Sequence, residues 1–380
     1  MPAPFEPVRL IQAGAGAMGR RWLHVIAQST EVELVGVVDL DVGSARRAVE
    51  AAGLSAVPMA ASLDELIGRV GVDAVLTVTV PQAHAEISTV ALLNGLPVLC
   101  EKPAADTLSA ALSMVAAAEV SNRLLMISQS RRYWRGLTAL RGQVARLGRV
   151  GFVECSFFRG PRFDGFRSTM PHPLLGDMAI HHFDLARDLI ASDPLWITSE
   201  SFNPSWSWYG GDAAAHAFAA FAGGARFAYT GSWCSPGLET SWNGSWRISG
   251  EAGTAVWDGD HQPVAQTVDG APLPAVAGSH PEEIAGALAE FVAAVRHGGV
   301  PSGEIHRNVM SLAMVEGAIR SARTGRRVII AELLEEAYQL ALTTEQRPQL
   351  RAALAAWASV HEVVTTGSGL EPVQHHADTL

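Results

Sequence analysis

Short apolar runs alternate with alanine-rich helical stretches along the first third of the chain. The apolar runs cover residues 8–13, 33–38, 72–80, 96–100 and 124–128. Stretches with helical spacing lie between them at residues 18–28, 83–94 and 108–120. Strands separated by helices in this rhythm are typical of repeated β-α-β units, whose parallel sheet is buried on both faces. The pattern therefore predicts an α/β domain with a parallel sheet over residues 1–127.

Beyond residue 150 the pattern changes to closely spaced strands. Apolar runs with strand character cover residues 151–158, 196–202, 215–222, 225–234, 245–249 and 254–257. Glycine-containing turns at residues 222–224 and 250–253 separate consecutive runs and predict hairpins. Helical patterns return at residues 281–296, at 306–324 and from 331 onward. We expect an α+β domain with a large, mostly antiparallel sheet over residues 128–330. A helical C-terminal extension over 331–380 should follow, with a disordered tail from residue 367.

Composition narrows the class of protein. A chain of 380 residues exceeds one ordinary core and suggests two domains. A net charge of −10 argues against a nucleic-acid partner, because phosphate backbones are held by clustered Lys and Arg. The sequence contains neither an apolar run long enough for a membrane span nor a basic-then-apolar leader, so we expect a cytoplasmic protein. Cys100, Cys155 and Cys234 are too few for a disulfide framework and are predicted to be reduced.

The first candidate for chemistry is the glycine-rich segment Gly14-Ala15-Gly16-Ala17-Met18-Gly19, which joins a strand to a helix. Gly14 permits a tight turn, Gly16 lets the backbone approach a pyrophosphate, and Gly19 allows close helix packing. The phosphates would lie at the positive end of the helix. This order of strand, glycine turn and helix predicts a dinucleotide-binding site.

An acidic residue indicates which dinucleotide binds. Asp39 ends the second strand, twenty residues after Gly19, where a carboxylate can accept hydrogen bonds from the ribose hydroxyls. Together with Asp41 it would repel a 2′-phosphate, which favours NAD over NADP. Arg46 and Arg47 downstream keep NADP open as an alternative.

Lys102 is the third candidate, because it directly follows the apolar run of residues 96–100. In open α/β sheets the ligand lies outside the carboxyl ends of the strands. The amine of Lys102 would therefore point to where a cofactor reacts. An ion pair with Glu101 at the surface is the alternative interpretation.

Helical spacing over residues 175–184 places Asp177, His181 and Asp184 on one stripe of an otherwise apolar helix. Burying such groups costs a few kcal/mol unless each is hydrogen-bonded, and a substrate rich in hydroxyls can supply the bonds. A metal site made by these residues and His182 is the other possibility. It is disfavoured because adjacent residues diverge by ~100° on a helix and no outside ligand is evident. We expect no metal.

The ordered set of these motifs resembles the glucose-fructose oxidoreductase / inositol dehydrogenase / rhizopine-catabolism (Gfo/Idh/MocA) family over about residues 7–330. The motifs that carry the resemblance are Gly14-Ala15-Gly16-Ala17-Met18-Gly19, Val38-Asp39, Thr79-Val80-Pro81-Gln82-Ala83-His84, Cys100-Glu101-Lys102-Pro103 and Gly176-Asp177-Met178-Ala179-Ile180-His181. Two features depart from the family pattern, namely the residues after about 330 and the segment at residues 128–133.

The resemblance implies a Rossmann domain that binds NAD, followed by a domain whose open sheet face commonly forms homodimers or homotetramers. It implies that Lys102, Asp177 and His181 flank the carbon that gives up hydride, and that substrates are mostly sugars, cyclitols and their derivatives. The implied cofactor contacts are Gly14, Gly16, Ala17, Met18, Gly19, Asp39, Thr79, Pro81, His84, Glu101 and Lys102.

Oxidation of a secondary alcohol needs a base for the hydroxyl proton. A histidine has an unperturbed pKa near 6.5, whereas a lysine, near 10.4, must be lowered by ~2–3 units to act near neutrality. His181 is therefore the favoured proton acceptor, with Asp177 orienting its tautomer and Lys102 holding the substrate oxygen. The exchange of roles between Lys102 and His181 stays open.

Substrate contacts are harder to predict. Seven of the ten tryptophans fall between residues 196 and 257, and such rings can stack on sugars, although most will be sheet core. Arginines near the Asp177 helix, including Arg167, could hold an anionic group on the substrate, or could pair with the chain's own carboxylates. The candidate substrate contacts are Arg131, Arg132, Tyr133, Arg159, Arg162 and His182.

Three function classes remain at this point. The first is an NAD-dependent sugar or cyclitol dehydrogenase. The second is an NAD-dependent glycoside hydrolase that works by transient oxidation, elimination and re-reduction, possibly on an anionic glycoside. The third is a non-catalytic NAD-binding regulator, which would not need Lys102, Asp177 and His181 together.

Overall fold

A computed structural model of the chain describes residues 6–163 and 165–367. They form two compact units. Unit 1 comprises residues 6–129, 284–309 and 337–367, and unit 2 comprises the described residues of 130–283 and 310–336. The predicted disordered tail lies, beyond Gly367, outside the described residues.

The first segment of unit 1 alternates strands and helices. Its strands are β1 (Val8–Ala13), β2 (Val32–Val38), β3 (Met59–Ala60), β4 (Ala74–Thr77), β5 (Val98–Glu101) and β6 (Leu125–Ser128). Its helices are α1 (Ala17–Gln28), α2 (Val42–Ala51), α3 (Leu63–Ile67), α4 (Pro81–Leu93) and α5 (Leu108–Ser121). The predicted strand at 72–80 is shorter in the structure, because the chain leaves the sheet after Thr77 to begin α4 with Pro81 at its first turn.

These six strands form one parallel sheet in the order β3-β2-β1-β4-β5-β6. Ala13 pairs with both Val38 and Thr77, and Thr77 pairs in turn with Cys100. The carboxyl ends of β1, β2, β4 and β5 therefore meet at one edge of the sheet. This arrangement confirms the predicted Rossmann sheet and brings the first three sequence motifs to the same edge.

Unit 2 begins with a 3-10 turn at Ser130–Tyr133. It continues with α6 (Arg135–Val144), β7 (Val150–Phe158), α7 (Phe166–Thr169), a π-helical turn at Leu174–Met178, α8 (Ala179–Ile190), β8 (Pro194–Phe202), β9 (Ala214–Phe221), β10 (Arg226–Ser232), β11 (Ser245–Gly250), β12 (Gly253–Trp257), β13 (Val264–Thr267) and β14 (Pro272–Leu273). The remaining elements are α9 (Glu283–His297), α10 (Ile305–Thr324), β15 (Val328–Ile329), α11 (Ile330–Thr344), α12 (Pro348–Ala356) and α13 (Val360–Thr366).

Nine strands of unit 2 form a sheet in the order β14-β13-β12-β11-β7-β10-β9-β8-β15. Neighbours pair antiparallel except β7 and β10, which are parallel. The predicted hairpins β9-β10 and β11-β12 are both confirmed. α8 packs on this sheet through Phe183, whose ring lies 5.9 Å from that of Phe227 and 5.4 Å from that of Tyr229.

The C-terminal helices of unit 1 attach to α5. The Tyr338 hydroxyl donates to the carbonyl of Leu354, and the Trp357 indole N–H donates to Glu119 on α5 at 2.8 Å. The rings of Tyr338 and Trp357 stack 5.8 Å apart. Among the described residues, none of the helices combines the length and apolar character needed to cross a membrane.

Candidate active site

The glycine turn after β1 is shaped by close backbone approaches. Gly14 has φ of +104°, and a Cβ there would lie 2.6 Å from the carbonyl oxygen of Val78. A Cβ on Gly19 would collide with the carbonyl oxygen of Gly14. A Cβ on Gly16 would meet nothing within 4 Å. A side chain at Gly14 would thus collide with the backbone that follows β4, and one at Gly19 with the turn itself, whereas Gly16 borders open space, as a phosphate cradle requires.

Gln12 supports this turn from inside β1, and sequence reasoning missed it. Its buried side-chain amide donates to the carbonyl of Gly14 at 2.8 Å and to that of Gly19 at 3.0 Å. The available signal was a polar side chain next to the end of the apolar run that leads into the turn. A buried amide needs polar partners, and the nearest ones are the backbone carbonyls of the turn.

Asp39 faces the same turn from the end of β2. One carboxylate oxygen accepts a hydrogen bond from the Ala15 N–H at 2.7 Å, and the other accepts from the Asp41 N–H at 2.9 Å. Ala17 and Met18 open α1, whose N-cap Gly16 supplies no side-chain cap. The turn therefore presents backbone N–H groups at a helix N-terminus beside a half-buried carboxylate. These residues fit a dinucleotide with an unmodified ribose, as NAD has.

His84 connects the segments that follow β4 and β5. Its Nδ1 lies 2.8 Å from the carbonyl oxygen of Pro103, and its Nε2 lies 3.2 Å from that of Thr79. Burial lowers the pKa of His84, so the neutral ring donates its proton through the shorter contact. Pro81 begins α4 in the same segment. His84 thereby fixes the chain immediately after Lys102.

Glu101 and Lys102 have different surroundings. Glu101 is buried, and its carboxylate accepts from the Trp22 indole N–H at 2.9 Å and from the Lys102 backbone N–H at 3.1 Å. Burial raises the pKa of the Glu101 carboxyl. The Glu101 carboxylate is thus held by Trp22 and the backbone, and a contact of Glu101 with the cofactor stays a prediction. Lys102 is half-buried where β5 ends.

In unit 2, Asp177 lies within the π-helical turn and His181 lies in the first turn of α8. The sequence pattern predicted regular α-helical spacing here, but a wider turn precedes α8. Such π-helical turns occur frequently at functional sites. The Arg167 side chain donates from Nε to the Asp177 carboxylate at 2.5 Å. His181 is 7% exposed.

Asp184, expected on the same stripe, belongs to a separate ion pair. Arg132 donates to its two carboxylate oxygens at 2.7 and 2.8 Å, and the Ser311 hydroxyl donates to it at 2.7 Å. Burial alone would raise the pKa of Asp184, but the charge of Arg132 and the hydrogen bonds hold it below its usual value. The Arg132 guanidinium thus pairs with a buried carboxylate, and its predicted contact with the substrate stays a prediction.

His182 is removed from the predicted substrate contacts. Its ring is fully buried, 4.8 Å from that of Phe157 and 5.4 Å from that of Tyr229. Burial, and then the charge of Arg131, lower the pKa of His182 to about 3. A neutral ring packed against two aromatic residues is part of the core, contrary to the expectation that His182 contacts the substrate.

The remaining predicted substrate contacts lie in different local environments. Arg131 donates to the Asn243 side chain at 2.7 Å, and Tyr133 is half-buried in the same 3-10 turn. Arg159 pairs with Glu239 at 3.1 Å, which is the alternative that the acidic composition suggested. Arg162 is exposed, with its guanidinium 4.0 Å from the centre of the Trp208 ring. Within the part of the chain that the structure describes, no three His, Cys, Asp or Glu side chains are grouped to hold a metal ion.

Comparisons with known proteins agree with this geometry. Residues 8–129 match the family model described as the GFO/IDH/MocA oxidoreductase family with an NAD-binding Rossmann fold. Residues 143–256 match the model of the GFO/IDH/MocA C-terminal domain. Together the two models cover more than half of the chain.

Individual relatives extend the comparison. The uncharacterized protein y4oX of Sinorhizobium fredii is 28% identical over 352 residues, covering 86% of this chain and 97% of its own. An inositol 2-dehydrogenase of Arthrobacter sp. is 31% identical over 187 residues, covering 48% of this chain and 54% of its own. An oxidoreductase from Agrobacterium radiobacter, crystallised with NAD⁺, L-tartaric acid and magnesium, has the same fold with a TM-score of 0.77 and 22% identity. That likeness covers 87% of this chain and 100% of the crystallised one.

Proposed function

Since this chain belongs to the GFO/IDH/MocA oxidoreductase family, we propose that it is a dehydrogenase that transfers hydride between NAD and a secondary hydroxyl of a sugar, cyclitol or sugar derivative. One observation supports this most directly: Lys102 lies at the same sheet edge as the glycine turn and Asp39, while neighbouring Glu101 is turned into the core. A site that only binds a cofactor needs no amine at this edge of the sheet. A reaction on a hydroxyl needs a group that holds the hydroxyl oxygen and takes part in transferring its proton.

In the proposed mechanism, His181 accepts the hydroxyl proton and Asp177 orients the imidazole. Lys102 holds the substrate oxygen and shares the proton relay. His84 and Glu101 position the Lys102 segment through Pro103 and Trp22. NAD, when bound, supplies the hydride acceptor. An imidazole begins near pKa 6.5 and needs little tuning to act as a base near neutrality, which is why His181 is preferred for this role.

The name of one relative suggests the chemical class of the substrate. Inositol 2-dehydrogenase is named for a cyclitol, and the match to it covers 48% of this chain. A polyhydroxylated ring also suits a site in which a carboxylate and an imidazole lie on one helix, because each vicinal hydroxyl can both donate and accept a hydrogen bond.

The proposal is tested by a screen of sugars, cyclitols and glycosides that records NADH absorbance and sugar release in the same reaction. NADH that accumulates in proportion to oxidised product supports the dehydrogenase. Sugar release without accumulated NADH would instead identify a redox-neutral glycoside hydrolase. A Lys102→Met variant serves as the control, because the signal must vanish with it if the reaction occurs at this site.

We also propose that unit 2 associates with further copies through the exposed face of its sheet. Phe152, Phe218 and Val264 are 37%, 37% and 66% exposed on strands whose other residues alternate into the core. Apolar side chains grouped on one sheet face are typical of an interface between subunits. Light scattering at micromolar concentration should give the mass of a dimer or tetramer, and a monomer would contradict the proposal.

A further inference from the structure

Trp206 and Trp208 lie outside the core of unit 2. Trp206 is 62% exposed, and Trp208 is half-buried in the same loop between β8 and β9. By contrast, Trp233, Trp246 and Trp257 are each at most 3% exposed. The structure thus separates tryptophans that fill the core from two rings that are accessible to a ligand, a distinction that the sequence could not make.

Hydrogen bonds to the backbone fix both accessible rings. The Trp206 indole N–H donates to the carbonyl of Cys234 at 3.1 Å, and the Trp208 indole N–H donates to that of Pro161 at 3.0 Å. The indole N–H is the only hydrogen-bonding group of a tryptophan side chain. With that donor used, each ring offers its apolar faces for stacking, at a low cost in conformational entropy because the ring is already held.

Arg162 adds polar donors beside these rings. It is exposed, and its guanidinium lies over the Trp208 ring, 4.0 Å from the ring centre. A guanidinium over an aromatic face retains its N–H donors for oxygen acceptors, because the ring offers no lone pair. The neighbouring Arg159 is instead paired with Glu239 at 3.1 Å. Arg162 therefore combines a positive charge with hydrogen-bond donors at the edge of an apolar surface.

The two rings and the π-helical turn lie at the same edge of the nine-stranded sheet. β7 and β10 are parallel, with Phe158 paired to Ser232 at their ends, and β8 runs in the same direction because β8 and β10 both pair antiparallel with β9. The segments that follow β7, β8 and β10 therefore leave the sheet together. A Cβ on Gly231, near the end of β10, would lie 3.1 Å from the side chain of Leu174, which begins the turn that contains Asp177.

The segment after β7 connects the rings to Asp177. One residue after the arginine that covers Trp208, the ring of Phe163 lies 5.5 Å from the guanidinium of Arg167. Arg167 in turn donates to the Asp177 carboxylate at 2.5 Å. The accessible rings are thus next to the carboxylate of the proposed reaction, but outside the contacts that hold it.

We propose that Trp206, Trp208 and Arg162 form an outer subsite that binds a second sugar ring, so that the substrate is a glycoside rather than a free sugar or cyclitol. This proposal rests on the function proposed above. Indole faces stack on the apolar face of a sugar ring, and Arg162 donates to its hydroxyl or carboxylate oxygens. The single charge of Arg162 suits a neutral ring or a uronic acid better than the diphosphate of a nucleotide sugar.

The kinetic test compares kcat/KM for a glycoside with kcat/KM for the corresponding free sugar or cyclitol. Trp206→Ala should lower the ratio of the two values about three- to tenfold, mainly through KM, because one aromatic contact is lost. Trp206→Phe keeps a ring and should retain most of the ratio. Arg162→Met should lower the ratio more for a uronic acid glycoside than for a neutral one, because a charge-assisted hydrogen bond is lost.

Arg327→Met is the matched control. The guanidinium of Arg327 lies 3.9 Å from the centre of the Trp196 ring, near the start of β8, whereas the proposed subsite follows the end of that strand. The variant removes the same kind of contact between an arginine and a tryptophan at a different place in unit 2. The ratio of kcat/KM values should therefore stay unchanged.

A second measurement does not depend on turnover. Saturation-transfer NMR of cellobiose, melibiose and cellobiouronic acid shows which sugar rings contact the protein. For at least one of these disaccharides, both rings should show contact in the wild type and in Arg327→Met, and one of the two rings should lose it in Trp206→Ala. Absence of binding of all three disaccharides would overturn the proposal.

The outcomes separate the subsite from the proposed function. An unchanged ratio in Trp206→Ala, or oxidation of free sugars in preference to every glycoside, would overturn the subsite and leave the dehydrogenase assignment standing. Contact from both rings in a protein that oxidises no sugar would support the subsite and remove that assignment. A smaller mass of Trp206→Ala by light scattering would assign Trp206 to a contact between subunits, and so would also overturn the proposal.

Discussion

The glycine turn of unit 1 and the α8 region of unit 2 carry the two parts of the proposed chemistry, but they are held by different kinds of bonds. Around the turn, side chains bond to the backbone: Gln12 donates to two carbonyls, and Asp39 accepts from two N–H groups. Around α8, charged side chains bond to each other, as in the pairs of Asp177 with Arg167 and of Asp184 with Arg132.

This difference predicts how each region responds to substitution. The site around the glycine turn depends on a few glycines and on the side chains of Asp39 and Gln12, which bond to the backbone of the turn. A site held by buried charge pairs depends on both members of every pair, since losing one leaves the other desolvated and uncompensated. Substitutions at the glycine turn should therefore lower cofactor affinity alone, whereas substitutions around α8 should also lower stability.

The largest effect is expected from the two proposed proton-handling residues, one in each unit. Lys102→Met and His181→Asn should each lower the single-turnover rate by roughly two to four powers of ten, with the NAD dissociation constant nearly unchanged. Residues that act on one proton are strongly non-additive, so the double variant should lose much less than the product of the single losses. Full activity in Lys102→Met with intact NAD affinity would remove Lys102 from the chemistry.

The second prediction concerns the buried pair of unit 2. Arg132→Met should destabilise the protein by about 3–5 kcal/mol, because the Asp184 side chain, 1% exposed, loses its bidentate partner. The double variant Arg132→Met/Asp184→Leu should recover most of that loss, as apolar replacements remove the stranded charge. Urea unfolding monitored by fluorescence measures the free energy of unfolding of the single and the double variant.

Arg9→Met is the matched control for that measurement, because Arg9 makes an equally short pair with Asp73 on the surface of unit 1. Its effect on the free energy of unfolding should be far smaller, since solvent and salt screen an exposed pair. Equal losses of unfolding free energy in Arg132→Met and Arg9→Met would show that burial of charge does not distinguish the two regions.

Unit 1 also contains a buried charged residue, His306, away from the glycine turn. Its titration makes the stability of the protein depend on pH. His306 lies 2.5 Å from Glu304 and 3.2 Å from Glu119, and Glu119 also binds Trp357 of the C-terminal helices. Burial alone would lower the pKa of His306, but the two carboxylates raise it to about 9. Because the pKa of His306 is higher in the folded than in the unfolded state, His306 stabilises the protein fully below pH ~6.5. This stabilisation is lost as the pH rises through about 9.

The contribution of His306 is at most about 3.5 kcal/mol, from ~1.4 kcal/mol for each unit of the pKa shift from 6.5 to about 9. Unfolding measured between pH 6 and 10 should show that the wild type loses more stability than His306→Gln as the pH rises. Parallel curves for the two proteins would contradict the assignment. The fluorescence of Trp357 reports whether the C-terminal helices respond first.

The smallest effect is expected at Asp39. NAD should bind at least about tenfold more tightly than NADP, and Asp39→Ser should narrow that ratio, because the carboxylate that repels a 2′-phosphate is gone. NAD affinity itself should fall modestly, since the Ala15 N–H loses its acceptor. Asp41→Ser should narrow the ratio less, because the Asp41 carboxylate accepts from the Ser44 N–H of α2 and a serine keeps a capping oxygen there. Equal affinity of the unmodified protein for both cofactors would contradict the assignment of Asp39.

The parallel sheet, the antiparallel sheet and the residues of the glycine turn could all be predicted from sequence. Glycine at positions 14 and 19 is a direct consequence of backbone geometry, because any side chain collides with the chain itself. Charge partners could not be predicted in this way. Arg132 and Asp184 are 52 residues apart, and nothing in either segment indicates the other. The short strands β3, β13, β14 and β15 were missed because two to four residues carry too little periodicity.

By itself, then, the sequence determined where strands, turns and the candidate residues Lys102, Asp177 and His181 fall along the chain. Hydrophobic periodicity and the order of strand, glycine turn and helix are local properties, so they can be interpreted without knowing which segments meet. The tertiary structure decided which polar residues are committed to partners. It assigned Glu101 to Trp22, Arg132 to Asp184 and Arg167 to Asp177. Those choices depend on burial and on side chains brought together by folding, because a charge leaves water only where a partner from another segment compensates it.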